Sequence, residues 1–231
     1  MPIKNRFFER IEPERSAQKM YIFCEGADRE YRYFRYFEAL DSHLHLIVYH
    51  LQEHEDNSPL GLYQIAEKTL LPTANNPEQE NIPIMDYRPK EDLVWIVLDT
   101  DKDKTNSRHA PLLELREKCV QHCWQIAQSN PCFEVWLYYH QESEKPDLTN
   151  PEVPKEWKIL VDSVIKGGFD PRKHPIWVQQ AIQNAKQNFE RIEDEFPAIG
   201  TTEVYLLAKQ MLAIGQLQNK IQQALKQLTT K

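Results

Sequence analysis

The stretch LVWIVLDTD, residues 93–101, predicts the fold of this chain. Its first six residues are continuously apolar, which is typical of a strand covered on both faces of a parallel sheet. The strand ends at Asp99, and Asp101 follows two residues later. Because ligands of open α/β sheets collect beyond the carboxyl ends of the strands, both carboxylates are candidate functional groups.

The segments around this strand alternate between strand and helix patterns. Before it, the sequence predicts strands over 19–25 and 43–51 and helices over 28–40 and 60–71. After it, we expect a helix from about Pro111, a weaker strand over 123–127, and a helix over 132–140 with Asn130 as its cap and Pro131 at its first position. This order predicts an α/β fold with a mainly parallel sheet flanked by helices.

The chain is expected to have three parts. Residues 1–18 form a charged tail, residues 19–142 the α/β core, and residues 143–231 a linker followed by a helical region. Within the last part, the sequence predicts helical structure over 176–193 and over a long stretch, 202–228.

Composition narrows the possible functions. The 231 residues are 41% hydrophobic, and no apolar run approaches the roughly 20 residues of a membrane span. The net charge of −7 counts against a protein that binds nucleic acid over a broad face, but not against one with an acidic metal site. The four cysteines are scattered, which favours reduced thiols and a cytoplasmic location.

Carboxylates at two strand ends form the candidate metal site. Glu25 closes the strand KMYIFCE, with Gly26 permitting a sharp turn, and Asp99 and Asp101 follow the apolar strand. Hard oxygen ligands of this kind suit Mg²⁺ or Mn²⁺. A turn or capping role is the alternative for each carboxylate taken alone. Glu134, in an apolar helix, is either a member of the site or a partner of the helix dipole, and the sequence leaves this open.

Three motifs give the chain a resemblance to a known family. FCEG with Glu30 and the pair Tyr33-Phe34, then LDTD, and then SNPCFEVWL with His140 resemble the RloB-like proteins, a branch of the toprim superfamily related to the nuclease domains of OLD proteins. The resemblance covers roughly residues 19–140 and implies a toprim-like sheet. SNPCFE is its most specific element.

The resemblance also implies site residues. It makes Glu25, Asp99 and Asp101 the metal carboxylates and adds Glu30 and Glu134, either of which would complete the shell of a second ion or act as a general base. Many relatives carry a basic residue and then Thr before the second Glu, whereas this chain has Asp28 and Arg29. Candidate phosphate contacts, which a solvated loop would explain equally well, are Arg29, Lys102, Lys104 and Arg108.

The expected function is a Mg²⁺-dependent nuclease in a prokaryotic phage-defence or restriction-associated system. The resemblance implies a partner ATPase of the SMC-like AAA class, with DNA or RNA, tRNA included, as the substrate. The alternative is a non-catalytic adaptor that keeps the fold and binds nucleic acid or a partner. Assembly of identical chains is compatible with either function.

Overall fold

The computed structural model describes residues 8–71, 86–100, 105–192 and 196–229, without the side chains of 105–108 and 229. Within these ranges strands and helices alternate from residue 18 to residue 138, as the sequence predicts. The strands are β1 (Gln18–Cys24), β2 (Leu44–Tyr49), β3 (Leu93–Asp99), β4 (Gln125–Asn130), β5 (Arg191–Ile192), β6 (Phe196–Pro197) and β7 (Thr201–Thr202). The helices are α1 (Arg29–Arg35), α2 (Pro59–Leu70), α3 (Thr105–Gln121), α4 (Glu134–Tyr138), α5 (Pro154–Val164), α6 (Val178–Asn188), α7 (Val204–Leu212) and α8 (Leu217–Thr229), with a 3-10 turn over His174–Trp177.

Five of the described strands form one mixed, mostly parallel sheet in the order β2-β1-β3-β4-β7. The first four are parallel, and the short β7 runs antiparallel to β4. The register pairs Phe23 with both Tyr49 and Ile96, and Asp99 with Ser129. The carboxyl ends of β1, β2, β3 and β4 therefore lie along one edge of the sheet. The α/β prediction is confirmed.

Alternating side chains of the central strands build two apolar layers. On β3, Trp95 and Val97 face the layer that holds α1 and the helices after α3, whereas Val94, Ile96 and Leu98 face α2 and α3. Every one of these five side chains is nearly or completely buried. Burial on both faces explains why β3 has no alternation between polar and apolar residues.

The sequence prediction around β4 is wrong in detail. The strand spans Gln125–Asn130 rather than 123–127, and α4 begins at Glu134 with Phe133 as its cap. Asn130 is therefore the last strand residue, and its side-chain amide donates to the carbonyl of Pro197. The hydrophobic pattern does not reveal the end of this strand, because its buried residues Gln128 and Ser129 are polar. Hydrogen bonds, rather than apolar packing, compensate their burial.

The helical stretch predicted over 202–228 consists of two helices, α7 and α8. It is interrupted between Leu212 and Leu217, where Gly215 has a φ of +58°, a conformation that favours glycine. The buried carboxylate of Asp41 accepts from the backbone N–H of Gln216 and pairs with Lys220 at 3.2 Å. These contacts fasten α8 to the loop before β2.

The C-terminal helices share the first apolar layer. Trp157 of α5, Ala181 of α6 and Met211 of α7 are fully buried in it. The division of the chain at residues 18 and 142 stays a prediction. No helix among the described residues is long and apolar enough to cross a membrane.

Candidate metal centre

Glu25 and Asp99 meet at the carboxyl edge of the sheet. The backbone N–H of Glu25 donates to the carbonyl of Val97 at 2.9 Å, which continues the β1–β3 pairing one residue beyond Cys24. The Glu25 carboxylate then accepts a hydrogen bond from the backbone N–H of Asp99 at 3.1 Å. The parallel register thus brings the two predicted carboxylates into neighbouring positions.

Glu30 lies against the same turn. It is in the first turn of α1 and is almost completely buried. A Cβ atom at position 26 would overlap the Glu30 carboxylate, so Gly26 is required for this close approach. Gly26 therefore leaves space for the Glu30 carboxylate, in addition to permitting the turn after Glu25.

Glu134 comes from α4, which packs in the same apolar layer as α1. It stands in the first turn of α4, is buried, and forms an ion pair with the half-exposed guanidinium of Arg29. Arg29 and Glu134 are 105 residues apart in the chain, and their contact places the start of α4 beside the start of α1. The position at a helix start is compatible with the dipole role, but the neighbouring carboxylates give Glu134 a place in the site as well.

The neighbouring carboxylates affect the ionisation of Glu30. Burial raises the pKa of Glu30 to about 7, and the negative charges of Glu134 and Glu25 add to the rise while Arg29 opposes it. Burial also raises the pKa of the Cys132 thiol, with further contributions from Glu134 and Asp99. The charges of Glu25, Glu30, Asp99 and Glu134 are thus linked through their effects on Glu30 and Cys132.

The chemistry of the cluster fits a divalent cation, although the described part of it is not a complete cage. Its members are hard carboxylate oxygens whose mutual repulsion a cation would reduce. In the described ranges, no group of three or more His, Cys, Asp or Glu side chains has the arrangement of a metal site. The third predicted ligand, Asp101, lies outside the described residues, as do Lys102, Lys104 and the side chain of Arg108.

A second polar network supports the segment that carries Asp99. Thr100 donates from its backbone N–H and from its hydroxyl to the carbonyl of Ser129, at 2.8 and 3.0 Å. The Gln128 side chain donates to the Thr100 hydroxyl at 2.8 Å and accepts from Arg116 at 2.9 Å. The backbone immediately after Asp99 is therefore held by α3 and β4.

Glu203 is the buried anchor of this network, and the sequence reasoning missed it. Its carboxylate pairs with Arg191 at 2.6 Å and with Arg116 at 3.5 Å, and it accepts from the backbone N–H of Gln128 at 3.2 Å. Burial raises the pKa of Glu203, and both arginines oppose the rise. An acidic residue directly before the apolar helix α7 was the available signal, but it also suits an ordinary helix start.

Comparisons with known proteins agree with the motifs. A family model described as RloB-like protein matches residues 20–211, which is most of the chain. No curated protein and no solved structure matches.

Proposed function

The chain belongs to the RloB-like protein family, and from that premise we propose that it is a divalent-cation-dependent nuclease. The observation that carries this proposal is the hydrogen bond from the Asp99 backbone to the Glu25 carboxylate. It joins the carboxylate at the end of β1 to the backbone of the acidic residue that ends β3, at the edge of the sheet where α/β proteins bind ligands.

Glu25 and Asp99, together with Asp101, are the residues that would hold Mg²⁺ or Mn²⁺. A bound ion of this kind polarises a phosphate oxygen and lowers the pKa of a coordinated water. The three side chains contribute negative charge on short, strand-anchored segments. That combination favours a hard cation over a direct contact with phosphate.

Glu30 and Glu134 have different roles in this proposal. With its pKa raised to about 7, Glu30 is suited to accept a proton from an attacking water near neutral pH. Glu134 is held by Arg29, whose guanidinium remains half exposed. Arg29 can therefore orient Glu134 and also present donors to a phosphate. Lys102, Lys104 and Arg108, which follow β3 in the sequence, are further candidates for phosphate contacts.

Family resemblance supports the wider setting. We propose that the protein works in a phage-defence or restriction-associated system, with an ATPase of the SMC-like AAA class as its partner. Control of cleavage by that partner would explain how an enzyme of this type is kept inactive until it is needed.

A non-catalytic adaptor is the second candidate. It is favoured by the finding that the described residues contain no group of three or more potential ligands in a metal-site arrangement. The net charge of −7 also makes an interaction with a protein partner reasonable.

Cleavage and cation binding separate the two candidates. Purified protein is incubated with plasmid DNA or total tRNA in Mg²⁺, in Mn²⁺ or in chelator, and cation binding is measured by calorimetry. We expect cation-dependent cleavage that falls by at least about 100-fold in Asp99→Asn. The matched control is Asp162→Asn, at an exposed position of α5.

The results have direct interpretations. Cleavage that persists in Asp99→Asn, with its thermal unfolding unchanged, refutes the assignment. Absence of cation binding to the wild-type protein, or binding that an Asp99→Asn/Asp101→Asn double variant retains, favours the adaptor.

A further inference from the structure

A stacked aromatic pair with one exposed ring lies at the edge of the sheet that carries the carboxylates. The rings of Tyr31 and His50 are stacked, with centroids 4.3 Å apart and planes inclined by 26°. Tyr31 is half buried in α1 and packs against the apolar core, whereas His50 is exposed at the end of β2. His50 is therefore the outer layer of a stack whose inner layer is fixed by the protein.

Tyr31 is held in place by a neighbouring arginine. The Arg35 guanidinium donates to the Tyr31 hydroxyl at 3.0 Å and lies 5.2 Å from the centre of its ring. Arg35 in turn donates to Glu38 at 3.0 Å. Because the Tyr31 ring is fixed before any ligand arrives, a ligand that stacks here loses little additional protein entropy.

The loop that carries His50 is also organised. The carbonyl of His50 accepts from the Gln52 side chain at 2.7 Å, and Glu55 accepts from the Gln52 backbone at 2.8 Å and from the Tyr49 hydroxyl at 2.7 Å. These bonds fix the backbone on both sides of the ring. A surface side chain without such support would change position freely.

The register places this pair close to the candidate metal centre. Phe23 and Tyr49 are partners in the parallel β1–β2 ladder, so Glu25 is two residues and His50 one residue beyond that pairing. Parallel strands end at the same edge of a sheet, so both residues follow strand ends at that edge. The pair therefore lies at the same edge of the sheet as the candidate metal centre, and Tyr31 directly follows Glu30 in α1.

We infer that His50, backed by Tyr31, is a stacking platform for an unpaired base of the nucleic acid substrate. The inference rests on the proposed nuclease function and adds the substrate class, a single strand or an unpaired nucleotide in a loop or at an end. Aromatic stacking tolerates any base, but it requires a free base face, which a base inside a duplex does not offer. A flat aromatic contact also suits an acidic protein, because it supplies affinity without a broad basic surface.

The test uses short single-stranded DNA and RNA oligonucleotides that carry one 2-aminopurine, whose fluorescence falls when the base stacks. Binding is measured with Ca²⁺ in place of Mg²⁺, because Ca²⁺ also binds carboxylate oxygens and limits cleavage during the titration. We expect quenching with the wild-type protein and a dissociation constant increased about 5-fold to 100-fold in His50→Ala. His50→Phe, which keeps an aromatic face, should restore both. His54→Ala, at another exposed position of the same loop, is the matched control.

Several results would overturn the inference. They are absence of oligonucleotide binding by the wild-type protein, equal effects of His50→Ala and His54→Ala, and undiminished binding of a blunt duplex or of an oligonucleotide that lacks the probed base. The DNA and RNA arms decide which nucleic acid is preferred. If binding depends on His50 while no variant or cation affects cleavage, the nuclease proposal fails and the platform stands.

Discussion

Replacing Glu30 with Gln should stabilise the cation-free protein at alkaline pH. Glu30 is buried beside Gly26 and has a pKa of about 7 instead of its ordinary value of 4.5. Ionising this carboxylate in the folded protein therefore costs free energy that ionisation in the unfolded chain does not. Gln has nearly the same shape and no charge, so it removes this cost while filling the same space.

The magnitude follows from the two pKa values. Each unit of pKa difference corresponds to 1.36 kcal/mol, so the rise from 4.5 to about 7 is worth about 3 kcal/mol. Because the folded state keeps its proton to higher pH than the unfolded state, the contribution of Glu30 to stability is complete below about pH 4.5. It is lost as the pH rises through 7. Between pH 5 and pH 8 the loss is about 2.5 kcal/mol, or about 5–10 °C in Tm for a chain of this size.

The assay is thermal and urea unfolding of wild-type and Glu30→Gln protein from pH 5 to pH 8 in chelator. The variants should have similar stability at pH 5 and diverge towards pH 8, with Glu30→Gln the more stable. Glu117→Gln, at an exposed position of α3, should follow the wild-type curve. Identical pH dependence of the wild type and Glu30→Gln would refute the reasoning, because it would mean that Glu30 ionises without a cost.

Three further predictions concern the surroundings of the site. Asp41→Ala should lower the free energy of unfolding, measured in urea, by about 3 kcal/mol, because the buried carboxylate pairs with Lys220 and accepts hydrogen bonds from two backbone N–H groups. The control Asp162→Ala should change this free energy little. A loss below about 1 kcal/mol for Asp41→Ala would contradict the prediction. Burial lowers the pKa of His140 to about 3, so NMR should show a neutral ring from pH 5 to pH 8. The contribution of His140 to the free energy of unfolding should be lost only as the pH falls from about 6.5 towards 3. Titration of the ring near pH 6.5 would contradict its buried position. Of the four thiols, only Cys123 is exposed, so a thiol reagent should modify one cysteine rapidly in the native protein and all four after unfolding.

The sequence was most informative where a local pattern has one physical meaning. The apolar run of β3 and the alternation of β2 predicted both strands, and the residues that follow β1 and β3 predicted the acidic edge. The proximity of Glu25 and Asp99 followed from parallel pairing alone, because parallel strands end at the same edge.

Polar residues buried by tertiary contacts were the main source of error. Gln128 and Ser129 in β4 are not apolar, so the hydrophobic pattern of their strand is weak. Their burial is tolerable because Gln128 bonds with Thr100 and Arg116, and Ser129 bonds with Thr202. The same reason hid Glu203, since nothing near it in the sequence indicates two arginines from other elements.

The sequence by itself determined the α/β class and which carboxylates stand at the strand ends, because strand periodicity and strand termination are local properties of the chain. Only the tertiary structure decided that Glu134 reaches Arg29 across 105 residues, that Glu30 fits over Gly26, and that His50 stacks on Tyr31. These contacts depend on how helices pack on the sheet, and packing is set by the shapes of many distant side chains together rather than by any one segment.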